Sequence, residues 1–126
     1  MDEQKKVLIE SLMEFLESAH DDESKGRVKS AITMYFKTIV ESCDFLIFDK
    51  ILKVPSNHNE RFRVLEKYFP EIYKDVDYLF GIYRKTYSKK VDKEDLTQVK
   101  DGTNKIIEKT EIGRYISELS KEQKPR

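Results

Sequence analysis

The chain has 126 residues, the size of one ordinary domain, and its hydrophobic and charged shares are both 38%, a balance typical of amphipathic helices. Its 24 basic and 24 acidic residues cancel, so no overall basic field points to nucleic acid. No apolar run is long enough to cross a bilayer and the start MDEQKK has no signal-peptide core, so we expect a cytoplasmic protein without a membrane segment.

Two helices are predicted in the first half of the chain. Residues at three- and four-residue spacing predict a first helix ending near His20: Val7, Leu8, Leu12, Phe15, Leu16 and Ala19. Asp21 or Asp22 is then expected to cap a long second helix, whose length suits a central strut. Its inward stripe is Val28, Ile32, Tyr35, Phe36, Ile39, Val40, Cys43, Leu46 and Ile47, where Cys43 is interpreted as a small core residue.

Two prolines set the next boundaries. Pro55 in KVPSNHNE ends the second helix, and Ser56 or Asn57 is expected to cap a third one. Pro70 suits the first turn of a fourth helix, because its missing amide proton would have no partner there. The buried stripe of the fourth helix is predicted to run through Ile72, Val76, Leu79, Phe80, Tyr83 and Tyr87.

The last part of the chain predicts one or two more helices. Asp92 and Asp95 resemble a capping arrangement for a fifth helix. Gly113 is expected to mark a kink or the start of a separate last helix, and residues 120–126 read as a frayed polar tail. No strand signal occurs, so the sequence predicts one all-α domain over 1–126, an antiparallel bundle of about five helices.

Several common chemistries lack the residues they need. The chain has two histidines, His20 and His58, one cysteine, and four isolated glycines. It therefore contains no zinc-ligand spacing, no phosphate-binding loop and no dinucleotide fingerprint. We expect no metal and no cofactor.

Charge is unevenly distributed along the chain. Residues 1 to 23 contain eight acidic residues against Lys5 and Lys6. Residues 84 to 93 contain five basic residues against Asp92. Opposite local potentials of this kind can steer a polyanion to one end or pair within a dimer, although solvated faces without a partner give the same pattern.

Two short segments are candidate anion sites. His58 and Arg61 lie three residues apart at the start of the third helix, where exposed amides favour negative charge. They can equally be capping and surface neighbours.

The second candidate is YRKTYSKK, which contains Arg84, Lys85, Tyr87, Lys89 and Lys90. Arg84 flanks the predicted stripe and can bind phosphate through two parallel hydrogen bonds. Tyr87 is expected to bury its ring and leave its hydroxyl at the edge. The alternative interpretation is the solvated end of a core helix.

The order of elements resembles the HEPN domains, small helical proteins of prokaryotes and eukaryotes. The likeness rests on SAITMYFKTIVESCDFLI, then PSNHNERFRVLEKYFPE, then DYLFGIYRKTYS, and it covers about residues 24–110. The resemblance implies an antiparallel bundle, frequent homodimers and, in many members, metal-independent RNA cleavage. Some members are toxins paired with a small nucleotidyltransferase-like antitoxin.

Catalytic HEPN proteins carry an arginine followed a short distance later by a histidine, at a cleft between two subunits. Arg84 matches that arginine, and Tyr87 matches an arginine-x-x-tyrosine variant of the motif. Lys89 and Lys90 occupy the span where the histidine would lie, and lysine exchanges protons poorly near neutral pH. His58 could replace it only if folding brought it near Arg84.

Three functions remain open at this point. The first is a non-catalytic or degenerate RNA- or nucleotide-binding or toxin–antitoxin module that uses Arg84, Tyr87, Lys85, Lys89, Lys90 and Arg61. The second is a divergent metal-independent endoribonuclease with Arg84, Tyr87 and His58. The third is a structural dimerisation module in which Arg84 pairs with Glu14 or Glu17.

Overall fold

The computed structural model describes residues 1–123, and over that range all regular structure is helical. The helices are α1 (Glu3–Ser24), α2 (Val28–Ile51), α3 (His58–Tyr68), α4 (Pro70–Ser88), α5 (Lys93–Lys109) and α6 (Ile112–Gln123). The prediction of an all-α bundle is confirmed, with six helices in the described part of the chain. None of these helices has the length and apolar character needed to cross a membrane.

The turn between α1 and α2 differs from the prediction. α1 continues past His20, and Asp21 and Asp22 lie in its last turns without capping α2. The chain reverses at Gly26, whose φ of 73° is left-handed, and the following amide donates to the carbonyl of Asp22 at 2.9 Å. The helix therefore ends where the first glycine permits a left-handed residue.

The other predicted helix starts are confirmed. Asn57 caps α3, since its side chain accepts a hydrogen bond from an amide of the first turn. Pro70 is the first residue of α4. Asp92 and Asp95 form a reciprocal capping box at the start of α5.

α2 is the central helix, because it packs against α1, α3, α4 and α5. The main core surrounds it and includes Cys43, which is fully buried as predicted. A second, smaller cluster of buried residues lies where α1, α2 and α6 meet: Leu8, Ile9, Leu12, Phe45, Ile112 and Leu119.

The end of the described chain is a separate helix rather than a kinked one. α5 ends at Lys109 with Thr110 as its C-cap, and Glu111 takes a left-handed φ of 56°. Gly113, expected at the break, lies inside α6 instead. Of the predicted polar tail, residues 120–123 belong to α6 instead, and residues 124–126 lie outside the described range.

α4 and α5 approach closely at Gly102. A Cβ added there would overlap the Leu79 side chain, so a glycine in the middle of α5 permits this contact despite its low helix propensity. The contact fixes α4 against the bundle along one side. The C-terminal half of α4 is the part that carries the candidate site.

Candidate functional site

An aromatic cluster holds the C-terminal half of α4 against α2 and α3. Phe36 stacks on Tyr83 with ring centroids 4.6 Å apart. The Phe80 ring lies 5.7 Å from Phe36 and 5.2 Å from Phe62. Each such pair contributes about 0.5–1.5 kcal/mol beyond its buried area. The cluster therefore fixes the direction in which the last turns of α4 leave the core.

Arg84 follows this cluster and is exposed. Its guanidinium carbon lies 5.9 Å from the centroid of the Phe80 ring, a cation–π contact that restrains the side chain. Within residues 1–123 it forms no ion pair, so the expected pairing with Glu14 or Glu17 is absent. The guanidinium thus presents its hydrogen-bond donors to solvent.

Tyr87 is exposed, contrary to the prediction that its ring is buried. It is 67% exposed, and its hydroxyl donates to the Tyr83 hydroxyl at 3.3 Å. The fully buried stripe of α4 ends at Ile82, and Tyr83 in the next position is only half-buried. Burial and the hydrogen bond with Tyr87 raise the pKa of Tyr83 to about 12.

The lysines near the end of α4 differ in their partners. Lys85 forms an ion pair with Asp95, with 3.0 Å between nitrogen and oxygen. Burial by itself would raise the pKa of Asp95, but the hydrogen bond from Lys85 helps to lower it below its ordinary value. Lys89 and Lys90 are exposed, and neither has an ion pair among the described residues. Part of the predicted charge is therefore neutralised and part is available.

Two adjoining hollows connect these residues. The first, about 300 Å³, is lined by Arg84, Lys85, Tyr87 and Lys89 among others. The second, about 530 Å³, is lined by Lys89, Lys90 and Lys29, the last from the first turn of α2. We call these six residues the basic surface. Sequence reasoning missed Lys29, because nothing local indicates that the start of α2 lies beside the end of α4.

Arg61 is not at the surface, contrary to its prediction as an anion ligand. It is 8% exposed and binds Asp44 through two hydrogen bonds of 2.7 and 3.0 Å. Burial raises the pKa of Asp44, and the guanidinium partly offsets that effect. Because its charge is compensated within the bundle, Arg61 is not part of the basic surface.

His58 lies beside Arg61 and against Phe80. Its Nδ1 is 3.3 Å from a guanidinium nitrogen of Arg61, and its ring centroid is 5.4 Å from that of Phe80. Partial desolvation and the neighbouring guanidinium lower the pKa of His58. The ring is therefore neutral at pH 7, with Nδ1 as the acceptor and Nε2 as the protonated nitrogen.

A groove of about 350 Å³ lies between α1, α2, α3 and α4. We call it the Glu41 groove, after a half-buried residue of α2 on its wall. Burial and, next, the nearby Asp44 carboxylate raise the pKa of Glu41 to about 7. Sequence reasoning missed this residue, since the helical pattern does not distinguish it from a solvated glutamate.

Groups of metal-binding side chains are absent from the described part of the chain. No family model, curated protein or solved structure matches this protein. The fold and the site together define an all-α bundle with an exposed, partly unpaired basic surface. Its function has to be inferred from that geometry.

Proposed function

We propose that this protein is a non-catalytic HEPN-like module that binds single-stranded RNA or nucleotides through the basic surface. The observation that carries the proposal is Arg84, an exposed arginine without an ion pair in residues 1–123, next to an exposed tyrosine. An arginine restrained over Phe80 loses less side-chain freedom on binding than a mobile surface lysine.

The residues of the surface have separate roles in this proposal. Arg84 binds a phosphate through two parallel N–H donors. The exposed ring of Tyr87 stacks on a neighbouring base, which is tolerant of sequence because every base has a π face. Lys29, Lys89 and Lys90 attract the backbone by releasing counterions, so binding is expected to fall with salt.

Titration of a short labelled single-stranded RNA tests the proposal. Arg84→Ala is expected to weaken binding about tenfold at low salt, the equivalent of about 1.4 kcal/mol. It is also expected to reduce the slope of log K against log salt by about 0.7, which is the contribution of one phosphate contact on a single strand. Unchanged affinity and an unchanged slope would reject the assignment.

Arg63→Ala is the matched control, because Arg63 is an exposed arginine on α3 and lines neither hollow of the basic surface. It removes the same charge from the same protein. Equal losses in the two variants would indicate a general electrostatic effect rather than a site at Arg84.

A divergent metal-independent endoribonuclease is the second candidate. It is favoured by two contacts with one ring: His58 from α3 and Arg84 from α4 both lie against Phe80. The unprotonated Nδ1 of His58 accepts from Arg61, so action as a general base requires this hydrogen bond to open. Incubation with RNA in chelator, with His58→Ala and Arg84→Ala as controls, tests it. Cleavage that requires neither residue would end this candidate.

The proposal also includes a homodimer and a nucleotidyltransferase-like partner, as the HEPN resemblance implies, and the cytoplasmic location that the sequence predicts. Tyr78, at 58% exposed and outside the basic surface, is an aromatic side chain that a second copy can cover. Light scattering at high micromolar concentration is expected to give twice the monomer mass. A monomer under those conditions would remove the dimer from the proposal, including the purely structural dimerisation module.

A further inference from the structure

The Glu41 groove combines aromatic walls with an unpaired carboxyl group. Phe15, Phe36 and Tyr83 supply the rings, from three different helices. Glu41 lines the same groove and forms neither a hydrogen bond nor an ion pair within residues 1–123. A half-buried carboxyl without a partner is costly in its ionised form, and a ligand with N–H donors would relieve that cost.

The other charged groups around Glu41 are already engaged or distant enough to leave it unpaired. Asp44 and Arg61 neutralise each other. His58 is neutral, with Nδ1 directed to Arg61. Lys37, one turn earlier on α2, lies with its nitrogen 5.7 Å from the centroid of Phe15. Glu41 and Lys37 therefore give the groove an acceptor and a donor on one helical face.

Glu41 and Lys37 together suit one of the four RNA bases better than the other three. An ionised carboxylate accepts two hydrogen bonds and donates none. Guanine alone offers two adjacent N–H donors on its pairing edge, and the carbonyl beside them can accept from an ammonium group such as that of Lys37. Adenine and cytosine place an acceptor beside their amino group, and uracil places its single N–H between two carbonyls. Guanine therefore fits Glu41 and Lys37 best.

We propose that the Glu41 groove binds a guanine base, with Glu41 accepting from the N–H edge and Lys37 donating to the carbonyl, while Phe15 and Tyr83 cover the ring. This inference rests on the proposed RNA binding, because Tyr83, which lines the groove, accepts a hydrogen bond from Tyr87 of the basic surface. A strand whose phosphate lies on Arg84 can then place a neighbouring base in the groove.

The test uses short uridine oligonucleotides that carry one guanosine, adenosine or cytidine at the same position. The wild-type protein is expected to bind the guanosine oligonucleotide about tenfold more tightly than the all-uridine one. Glu41→Gln is expected to remove this preference and leave the affinity for the all-uridine strand unchanged. Glu17→Gln, an exposed position on α1, is the charge-matched control and is expected to keep the preference.

A pH series adds a readout that a merely structural role of Glu41 would not give. The carboxylate form is required to accept two hydrogen bonds, so the guanosine preference is expected to fall between about pH 8 and about pH 6. Glu41→Gln is expected to show no such pH dependence. A preference that is constant across this range would overturn the assignment of Glu41.

The outcomes separate the two proposals. Equal binding of all oligonucleotides by the wild type, with an effect of Arg84→Ala, overturns the guanine site and leaves RNA binding intact. A uniform loss in Glu41→Gln for every oligonucleotide overturns it as well, since Glu41 would then act through the fold. If no oligonucleotide binds, or if Arg84→Ala changes nothing, both proposals are wrong.

Discussion

Arg61 and Arg84 show how differently one residue type is used in two regions of this bundle. Arg61 lies close in sequence to His58 and Phe62. Its side chain is buried and forms two hydrogen bonds with Asp44. Arg84 also neighbours tyrosines, yet it is exposed and unpaired within residues 1–123. A buried guanidinium with a carboxylate supports the fold, whereas an exposed one is available to a ligand.

The largest expected effect breaks the buried pair. Asp44→Asn leaves the Arg61 charge buried without compensation, so the free energy of unfolding is expected to fall by about 3 kcal/mol. Chemical denaturation measures this change. Replacing both partners, as Asp44→Leu with Arg61→Met, is expected to recover much of the loss, because a packed apolar pair no longer buries an isolated charge. A single variant as stable as the wild type would show that the pair is not buried in solution.

The next effect concerns the exposed region. Tyr87→Ala is expected to weaken binding of single-stranded RNA by about 1 kcal/mol or more, because it removes a stacking ring. Tyr87→Phe keeps the ring and loses only the hydroxyl, so its affinity is expected to stay close to that of the wild type. Fluorescence anisotropy with a labelled strand measures both. An equal loss in the two variants would assign the effect to the hydrogen bond with Tyr83 instead of stacking.

A smaller effect sharpens the comparison at Glu41, which lies between the two regions. Its folded-state pKa of about 7 is above the ordinary value of 4.5, so the folded protein binds a proton more tightly than the unfolded chain. Its contribution to stability is complete below the unfolded pKa and is lost as pH rises through the folded one.

Glu41→Gln removes this titration. The variant is therefore expected to be more stable than the wild type near pH 8 by about 1 kcal/mol, a value reduced for solvent screening of a partly exposed group. The difference is expected to vanish toward about pH 4. Thermal unfolding across this pH range measures it. A difference that does not change with pH would contradict the raised pKa.

The smallest expected effect is that of Arg84→Ala on stability. The side chain is exposed and its contact with Phe80 is peripheral, so the free energy of unfolding is expected to change by less than about 0.5 kcal/mol. The free energies of unfolding of Arg84→Ala and Asp44→Asn, measured side by side, distinguish the buried pair that supports the fold from the exposed arginine that is available for binding. A loss as large as that of Asp44→Asn would remove the contrast between the two regions.

Much of the fold was predictable from local signals. Asn57, Pro70 and the pair Asp92 and Asp95 act on the backbone within one or two turns, and the helix starts they predicted are confirmed. The helix boundaries that were predicted wrongly are those at residues with a left-handed backbone. Glu111 adopts φ 56° at the α5–α6 junction, and a glutamate in sequence carries no signal for that conformation.

The site was predictable only in part. YRKTYSKK correctly located a cluster of charge, but Tyr87 was expected to be buried and Lys85 was not expected to pair with Asp95. Lys29, Asp44 and Glu41 join their clusters across helices far apart in sequence, and no periodic pattern reports such contacts.

The sequence by itself determined the helices, the starts of α3, α4 and α5 and most of the apolar stripes, since these depend on spacing and on backbone chemistry a few residues long. Only the tertiary structure decided which charged side chains are buried and paired and which are exposed. That decision depends on how the helices pack around α2, because packing sets the desolvation of each group and the distance to its partner.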